Sequence, residues 1–268
     1  MKIVSFHSGL GNQIFFYLYT LYLKNIFPYQ KIYGYYPKDM LSNHNGLEIE
    51  QVFDVRLPKR SLLSDFVAFI SRVFHKLHIE RFRVVEPNQY DDGVLFVGYF
   101  QDKKYFLDNI ETLKFRDLCL DKTNLEILKN IESANSVAIH IRRGDYYKAE
   151  LQRKYGNIAT DEYYKSAVVE IEKRVAAPKY FVFSNDIDWC KNNMNLGNAV
   201  FVDGNLGKKS PIDMFLMSKC KHNIIANSSF SYWGAMLNEN KEKIVIYPKI
   251  WDNDKTPDIF PVEWIGLK

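Results

Sequence analysis

Ser136-Val137-Ala138-Ile139, followed by His140-Ile141-Arg142-Arg143-Gly144-Asp145-Tyr146, joins an apolar run to a cluster of charge. The apolar run has the length and composition of a strand covered on both faces. Two adjacent guanidiniums at a strand's carboxyl end point to an anion site. Ligands of open α/β sheets gather at that edge, and Arg holds phosphate oxygens through two parallel charge-assisted hydrogen bonds. A surface ion-pair network is the other reading of the same spacing, since paired Arg and Asp are common on solvated loops.

Outward from this stretch toward the C-terminus, strand-like runs at 136–140, 180–184, 199–202, 222–226 and 243–247 alternate with helix-like segments. That alternation predicts right-handed βαβ crossovers and a parallel sheet. Thr160 is placed to cap a helix opened by Asp161 and Glu162, and Ser210-Pro211-Ile212-Asp213 reads as a second helix start with Ser210 as cap. Toward the N-terminus, Lys2 to Phe6 is a short apolar run, followed by His7-Ser8-Gly9-Leu10-Gly11-Asn12-Gln13 and a helix-spaced aromatic segment, the opening of another α/β unit. Gly93 to Phe100 reads as a strand and Lys122 to Ile131 as a helix; residues 31 to 60 give no clear assignment. The expected architecture is two α/β domains, 1–133 and 134–268.

Composition narrows the class. Hydrophobic residues make up 47% of the 268 and charged ones 25%, the balance of a globular protein, and the net charge of +4 is too small to argue for nucleic-acid binding. Cys119, Cys190 and Cys220 form neither a CxxC pair nor an even framework, which reads as reduced thiols and a cytoplasmic protein. The first strand begins within a few residues of Met1, and no apolar stretch is long enough to span a bilayer.

Strand ends of one parallel sheet converge on one edge, so the polar residues after each run can reach one ligand. Besides the Arg pair these are Ser184-Asn185-Asp186-Ile187-Asp188-Trp189, Asp203-Gly204-Asn205 and Asn227-Ser228-Ser229-Phe230-Ser231. Ser228 and Ser229 open a helix, whose free backbone N–H groups and dipole suit a diphosphate; ordinary capping is the alternative. The Gly9-Leu10-Gly11 turn has Ile14 where a dinucleotide fingerprint needs glycine, so it reads as a wall of a cleft, or as a plain turn.

Several of these segments resemble the α-1,2-fucosyltransferase family, with α-1,6- and protein O-fucosyltransferases more distant. They are His140-x-Arg142-Arg143-Gly144-Asp145-Tyr146, Gly9-Leu10-Gly11-Asn12-Gln13, His44-Asn45-Gly46, and Phe183-Ser184-Asn185-Asp186, where Asn replaces the family's first Asp. The longest is Asp213 to His222 continuing through Ala226 to Ala235. The resemblance implies two Rossmann-like domains of the GT-B kind with a ligand cleft between them, and inverting transfer of L-fucose from GDP-fucose without a metal or other cofactor. The acceptor it implies is the 2-hydroxyl of a terminal galactose on a surface glycan, free or lipid-linked. It places Arg142 on the β-phosphate with Arg143 in support, His140 near the guanosine, Asp203 on the guanine N1 and N2 groups, and Ser228 and Ser229 on the diphosphate. Ser184, Asp186, Asn227 and Phe230 join them as donor-side residues, and Gly11, Asn12, His44 and Asn45 as cleft or acceptor-side residues. For the proton of the attacking hydroxyl the candidates are Asp145 and Glu150, Glu150 by likeness to the α-1,6 enzymes, while Asp145 also suits orienting the arginines.

Two rivals stand beside this reading. Asp186-Ile187-Asp188 after a strand is the DxD of a metal-dependent GT-A transferase. A non-catalytic nucleotide-sugar or glycan-binding protein would also use the abundant aromatics. Residues 61 to 78 carry Leu62, Leu63, Phe66, Ile70, Val73, Phe74 and Leu77 at helical spacing, with Lys59, Arg60, Arg72, Lys76, Arg81 and Arg83 at the ends and edges. This is either a helix packed on its own domain or one that binds an anionic membrane surface peripherally.

Overall fold

The computed structural model describes residues 1–42, 44–79, 84–86, 93–143 and 149–268, the side chains of 149 and 150 excepted. Its contacts divide it into two units, Met1–Asp117 and Leu118–Lys268.

The first unit holds β1 (Lys2–Ser5), α1 (Leu10–Ile26), β2 (Ile32–Tyr35), α2 (Lys38–Leu41), α3 (Ile49–Val52), α4 (Leu62–Lys76), β3 (Val84–Val85) and β4 (Leu95–Phe96). The strands form a parallel sheet in the order β2-β1-β4-β3, with Ile3 opposite Tyr33 on one side and Leu95 on the other. Helix α1 forms where the sequence predicts it, and Ile14, Phe16 and Leu18 are fully buried. Tyr19 stacks on Phe100 with ring centroids 3.8 Å apart. The run 93–100 contributes only two strand residues, Leu95 and Phe96, and beyond them the chain turns at Phe100, which takes a positive φ of 49°. Helix α4 is capped reciprocally by Ser61 and Ser64, and its buried residues are Ser64, Ala68 and Ser71, not the large apolar ones.

The second unit holds α5 (Lys122–Glu132), β5 (Asn135–Ile141), α6 (Ala149–Tyr155), α7 (Asp161–Glu172), β6 (Pro178–Ser184), α8 (Ile187–Asn193), β7 (Ala199–Phe201), α9 (Ser210–Lys219), β8 (His222–Ile224), α10 (Ser229–Met236), β9 (Val245–Pro248) and β10 (Ile265–Leu267). All strands are parallel, in the order β10-β9-β8-β5-β6-β7. The chain starts at the middle, runs outward through β6 and β7, then returns to the other side of β5 for β8, β9 and β10. That is the doubly wound order of a nucleotide-binding fold, with its switch point between β5 and β8.

The five runs predicted as strands are strands, and all are buried or partly buried. Val137, Ile139 and Ile141 pack with Tyr163, Ala167 and Ile171 of α7. The Tyr163 hydroxyl donates to the carbonyl of Ile225 at 2.7 Å, which satisfies the one polar atom it buries.

Two local expectations change. The junction expected at 133/134 leaves the helix at 122–132 with the first half, whereas α5 packs on β5 and α9, and its Asn124 bonds Asn205. At the other site Ser210 is the first residue of α9 and not its cap. A 3₁₀ turn at Gly207–Lys209 runs straight into the helix, Lys209 holds the cap position, and the Asp213 carboxylate accepts from Asn205 at 2.8 Å. Among the described residues no helix is long and apolar enough to cross a membrane.

Candidate functional site

In the second unit the carboxyl ends of β5 and β8 flank the switch point. Arg142 directly follows the first and Asn227 closely follows the second, and both line one small recess. Beside it Arg142, Arg143, Asn157, Thr160, Glu162 and Trp189 are among the residues around a mostly polar cavity of about 340 Å³.

Arg143 is fixed on three sides. Its backbone N–H donates to Asn185 Oδ1 at 2.9 Å, its Nε lies 3.7 Å from Asp186 Oδ2, and its guanidinium carbon sits 3.5 Å above the Trp189 ring. A planar cation stacked on an indole and paired at its edge is held in orientation before any ligand arrives. Asp186 also caps α8, accepting from the Trp189 N–H at 3.3 Å, and Ser184 Oγ accepts from the Asp186 N–H at 3.0 Å. Asp188 turns instead to Lys191, 3.4 Å away. The two carboxylates of the DxD pattern thus face different cations, and among the described residues no group of three metal-ligating side chains forms.

His140 is buried on β5, its ring 5.8 Å from that of Phe230, and its Nδ1 has no hydrogen-bond partner. Burial, with the neighbouring Arg142 charge adding to it, pushes its imidazole down to about 3, so it is neutral at physiological pH. Tyr164 donates to the His140 carbonyl at 3.0 Å and so holds the strand end where the arginines leave it.

Ser228 occupies the cap position of α10 in extended conformation and makes no side-chain cap there. Its carbonyl accepts from the Tyr232 N–H at 2.9 Å, while Ser229 and Phe230 are partly exposed. Among the described residues no side chain caps the first-turn N–H groups. The Asn227 amide donates to the carbonyls of Tyr155 and Trp251, both at 3.1 Å, which anchors the loop and ties it to α6. Gly234 explains the closeness of α10 to α9: a Cβ there would lie 3.0 Å from Met217 Cβ.

Asp203 follows β7 and accepts from Lys191 Nζ at 2.8 Å, an ion pair that lowers its pKa below the usual carboxylate range. Behind it Asn205 bonds Asn124 and Asp213, and burial raises the Asp213 carboxyl to about 7. This support beneath the Asp203 loop went unforeseen, because its partners lie eight and 81 residues from Asn205. Trp189 ends one of the strand-end segments expected to converge on the ligand, whereas Glu162 lies outside them. Glu162 reads from sequence as a helix-opening acid, which it is as well. Asp145 and the side chain of Glu150 lie outside the described residues.

In the first unit the switch point falls between β1 and β4. Asn12, in the first turn of α1, accepts a long hydrogen bond (3.5 Å) from Gln101, which follows β4. His7 packs its ring at a tilt against Phe16 and Tyr99, and burial lowers its imidazole below the ordinary range. Gly9 sits against the His44 ring, where a Cβ would lie 3.4 Å from Nδ1. Gln13 binds the two glycine-bearing loops together. Its amide donates to the carbonyls of Ser8 and Gly46 at 2.9 and 2.8 Å, and its oxygen accepts from the N–H groups of Glu48 and Ile49 at 2.9 and 3.2 Å. Asn45 donates to Glu48 at 3.1 Å. Gly11 and Asn12 therefore sit in the first turn of α1, and His44 and Asn45 on the loop that the buried Gln13 side chain ties to it.

Residues 47–268 match the family described as Glycosyl transferase family 11. An α-1,2-colitosyltransferase of Escherichia coli is 31% identical over 83% of this chain and 81% of its own length. The O-antigen biosynthesis glycosyltransferase WbnK, also of Escherichia coli, is 37% identical over 67% of this chain and 62% of its own. Galactoside α-(1,2)-fucosyltransferase 1 of Saimiri boliviensis boliviensis is 30% identical over 49% of this chain and 38% of its own. Among solved structures, the fucosyltransferase NodZ of Bradyrhizobium superposes with a TM-score of 0.51 at 10% identity, over 87% of this chain and 91% of that one, which is a likeness of fold. With its doubly wound second unit and a family match over most of its length, the chain belongs to glycosyl transferase family 11.

Proposed function

We propose that this protein transfers L-fucose from GDP-fucose to the 2-hydroxyl of a terminal galactose in a surface glycan, with inversion and without a metal. The observation that carries the reading is the strand-end pair Arg142 and Arg143 at the β5–β8 switch point, where Arg142 shares a recess with Asn227 at the foot of α10. In this reaction the acceptor oxygen bonds to the anomeric carbon, the bond to the β-phosphate oxygen breaks, and GDP departs with the electron pair. The demand on the protein is charge neutralisation at the departing diphosphate. Arg142 and the first-turn N–H groups of α10 meet it, and Arg143, stacked and paired, keeps the strand end rigid. Asp203 takes the guanine edge by exchanging Lys191 for the base's two adjacent donors. His140, neutral, offers Nδ1 for a hydrogen bond and not for proton transfer. The proton of the attacking hydroxyl goes to Asp145 or Glu150.

The relative that names colitose keeps a second donor in view, since colitose is the 3-deoxy counterpart of fucose. Steady-state assays with GDP-fucose and GDP-colitose, on a panel of galactose-terminated oligosaccharides in excess EDTA, test the proposal. GDP release coupled to a 2-linked fucosyl product supports it. A higher kcat/KM for GDP-colitose changes the donor, and activity that appears only with manganese transfers the charge-neutralising role to a metal.

A further inference from the structure

Helix α4 is turned opposite to what its apolar stripe suggests. Ser64, Ala68 and Ser71, spaced four and three apart, are fully buried against its own unit. Leu62 is 89% exposed, Leu63 and Phe66 63%, and Phe69 and Leu77 60%. Leu62, Phe66, Phe69 and Leu77 recur at the spacing that lines one face of a helix, so the exposed side chains form a continuous strip and not scattered single residues. The N-terminus of the helix is closed by the Ser61–Ser64 capping box, and its opposite face packs on β2 and β3.

The charge around this strip has one sign. Between Arg56 and Ile79 the chain carries five Lys and Arg against one Asp, as much net positive charge as the whole protein. The one Asp, Asp65, is paired with Arg60. Lys59 and Arg60 precede the helix, Arg72 and Lys76 lie one turn apart along an edge of the strip, and His75 and His78 stand at its C-terminal end.

We propose that α4 docks this protein on an anionic lipid bilayer, lying in the headgroup layer with Leu62, Leu63, Phe66, Phe69 and Leu77 inserted and Lys59, Arg72 and Lys76 on the phosphates. An apolar strip edged by cations fits that surface in both polarity and charge. A second copy of the chain fits it poorly: two-fold pairing of this face would bring the cations at the ends and edge of one strip against those of the other, like charge against like. The docking rests on the first unit alone and does not depend on which sugar the enzyme transfers.

Flotation with phosphatidylcholine vesicles, with and without phosphatidylglycerol, tests this. The full-length protein should float with the anionic vesicles, stay behind with the neutral ones, and be released by salt. Phe66→Ser/Phe69→Ser should abolish flotation, and Lys59→Glu/Lys76→Glu should weaken it by at least about tenfold, given the worth of each charge near such a surface. All four side chains stand in solvent, so both variants should keep the parent's circular dichroism and melting. No flotation of the parent at low salt overturns the proposal, as does equal flotation of the Lys59→Glu/Lys76→Glu variant. A parent that is dimeric in solution and becomes monomeric with Phe66→Ser/Phe69→Ser would likewise overturn it, by assigning the face to a second copy.

Discussion

Arg142 carries the largest single demand on a side chain in this account, and the size of its effect is predictable. Arg142→Ala should cost about 3–5 kcal/mol of transition-state stabilisation, read from kcat/KM, the scale of removing a preorganised charge partner from a developing anion. Arg142→Lys should recover little, because an ammonium cannot reproduce the bidentate fork. Two buried titratable side chains give the folded state opposite responses to pH. His140 is held down to about 3 against an ordinary 6.5, so the unfolded chain takes up its proton first. Its effect is absent above pH 6.5, and stability is lost progressively as pH falls from there toward 3. Asp213 is raised to about 7 from 3.8, so the folded chain keeps its proton while the unfolded chain ionises, and stability is lost as pH rises through that interval. Asp213→Asn keeps an oxygen for Asn205 and removes the ionisation. Chemical denaturation at pH 4 and pH 8 should therefore show the difference between variant and parent moving in the variant's favour by about 1–2 kcal/mol.

At the scale of elements, Gln13 is the point where a helix organises two loops. Gln13→Ala removes four hydrogen bonds at a fully buried position and should cost about 3–4 kcal/mol, seen as a lower denaturant midpoint for the first unit. The sequence displays Gln13 in its motif but not this role, which depends on a loop more than thirty residues away. The same contrast runs through the fold. Strands β5, β6, β8 and β9 were legible because a parallel strand inside a sheet is a short buried run bounded by polar residues, and the edge strand β7 because Ala199, Val200 and Phe201 are all apolar, whereas β10 has Gly266 at its middle. Strand β10 was not, being three half-covered residues at the sheet edge, and neither were β2, α2 and α3, four residues each. Helix α4 was legible as a helix but not in orientation, since periodicity locates a stripe and does not say which side meets the protein. Here the small side chains do, because they allow close approach to the sheet.

For the whole molecule, what the sequence could give was the convergence of strand ends, since sheet topology follows from alternation. Arg142, Arg143, Asn227 and Ser228 fall at the switch point as such reasoning expects. Trp189 beneath Arg143 and the Asn124–Asn205–Asp213 support did not follow, because pairings between distant segments leave no local pattern. The central claim is that this switch point holds the diphosphate of a GDP-sugar through Arg142 and needs no metal. Calorimetric titration of GDP into the parent protein and into Arg142→Ala, both in excess EDTA, tests it most directly. The parent should bind saturably, and a variant that melts like the parent should bind about a hundredfold more weakly. Equal affinity in the two proteins, or binding by the parent only after manganese is restored, would contradict it.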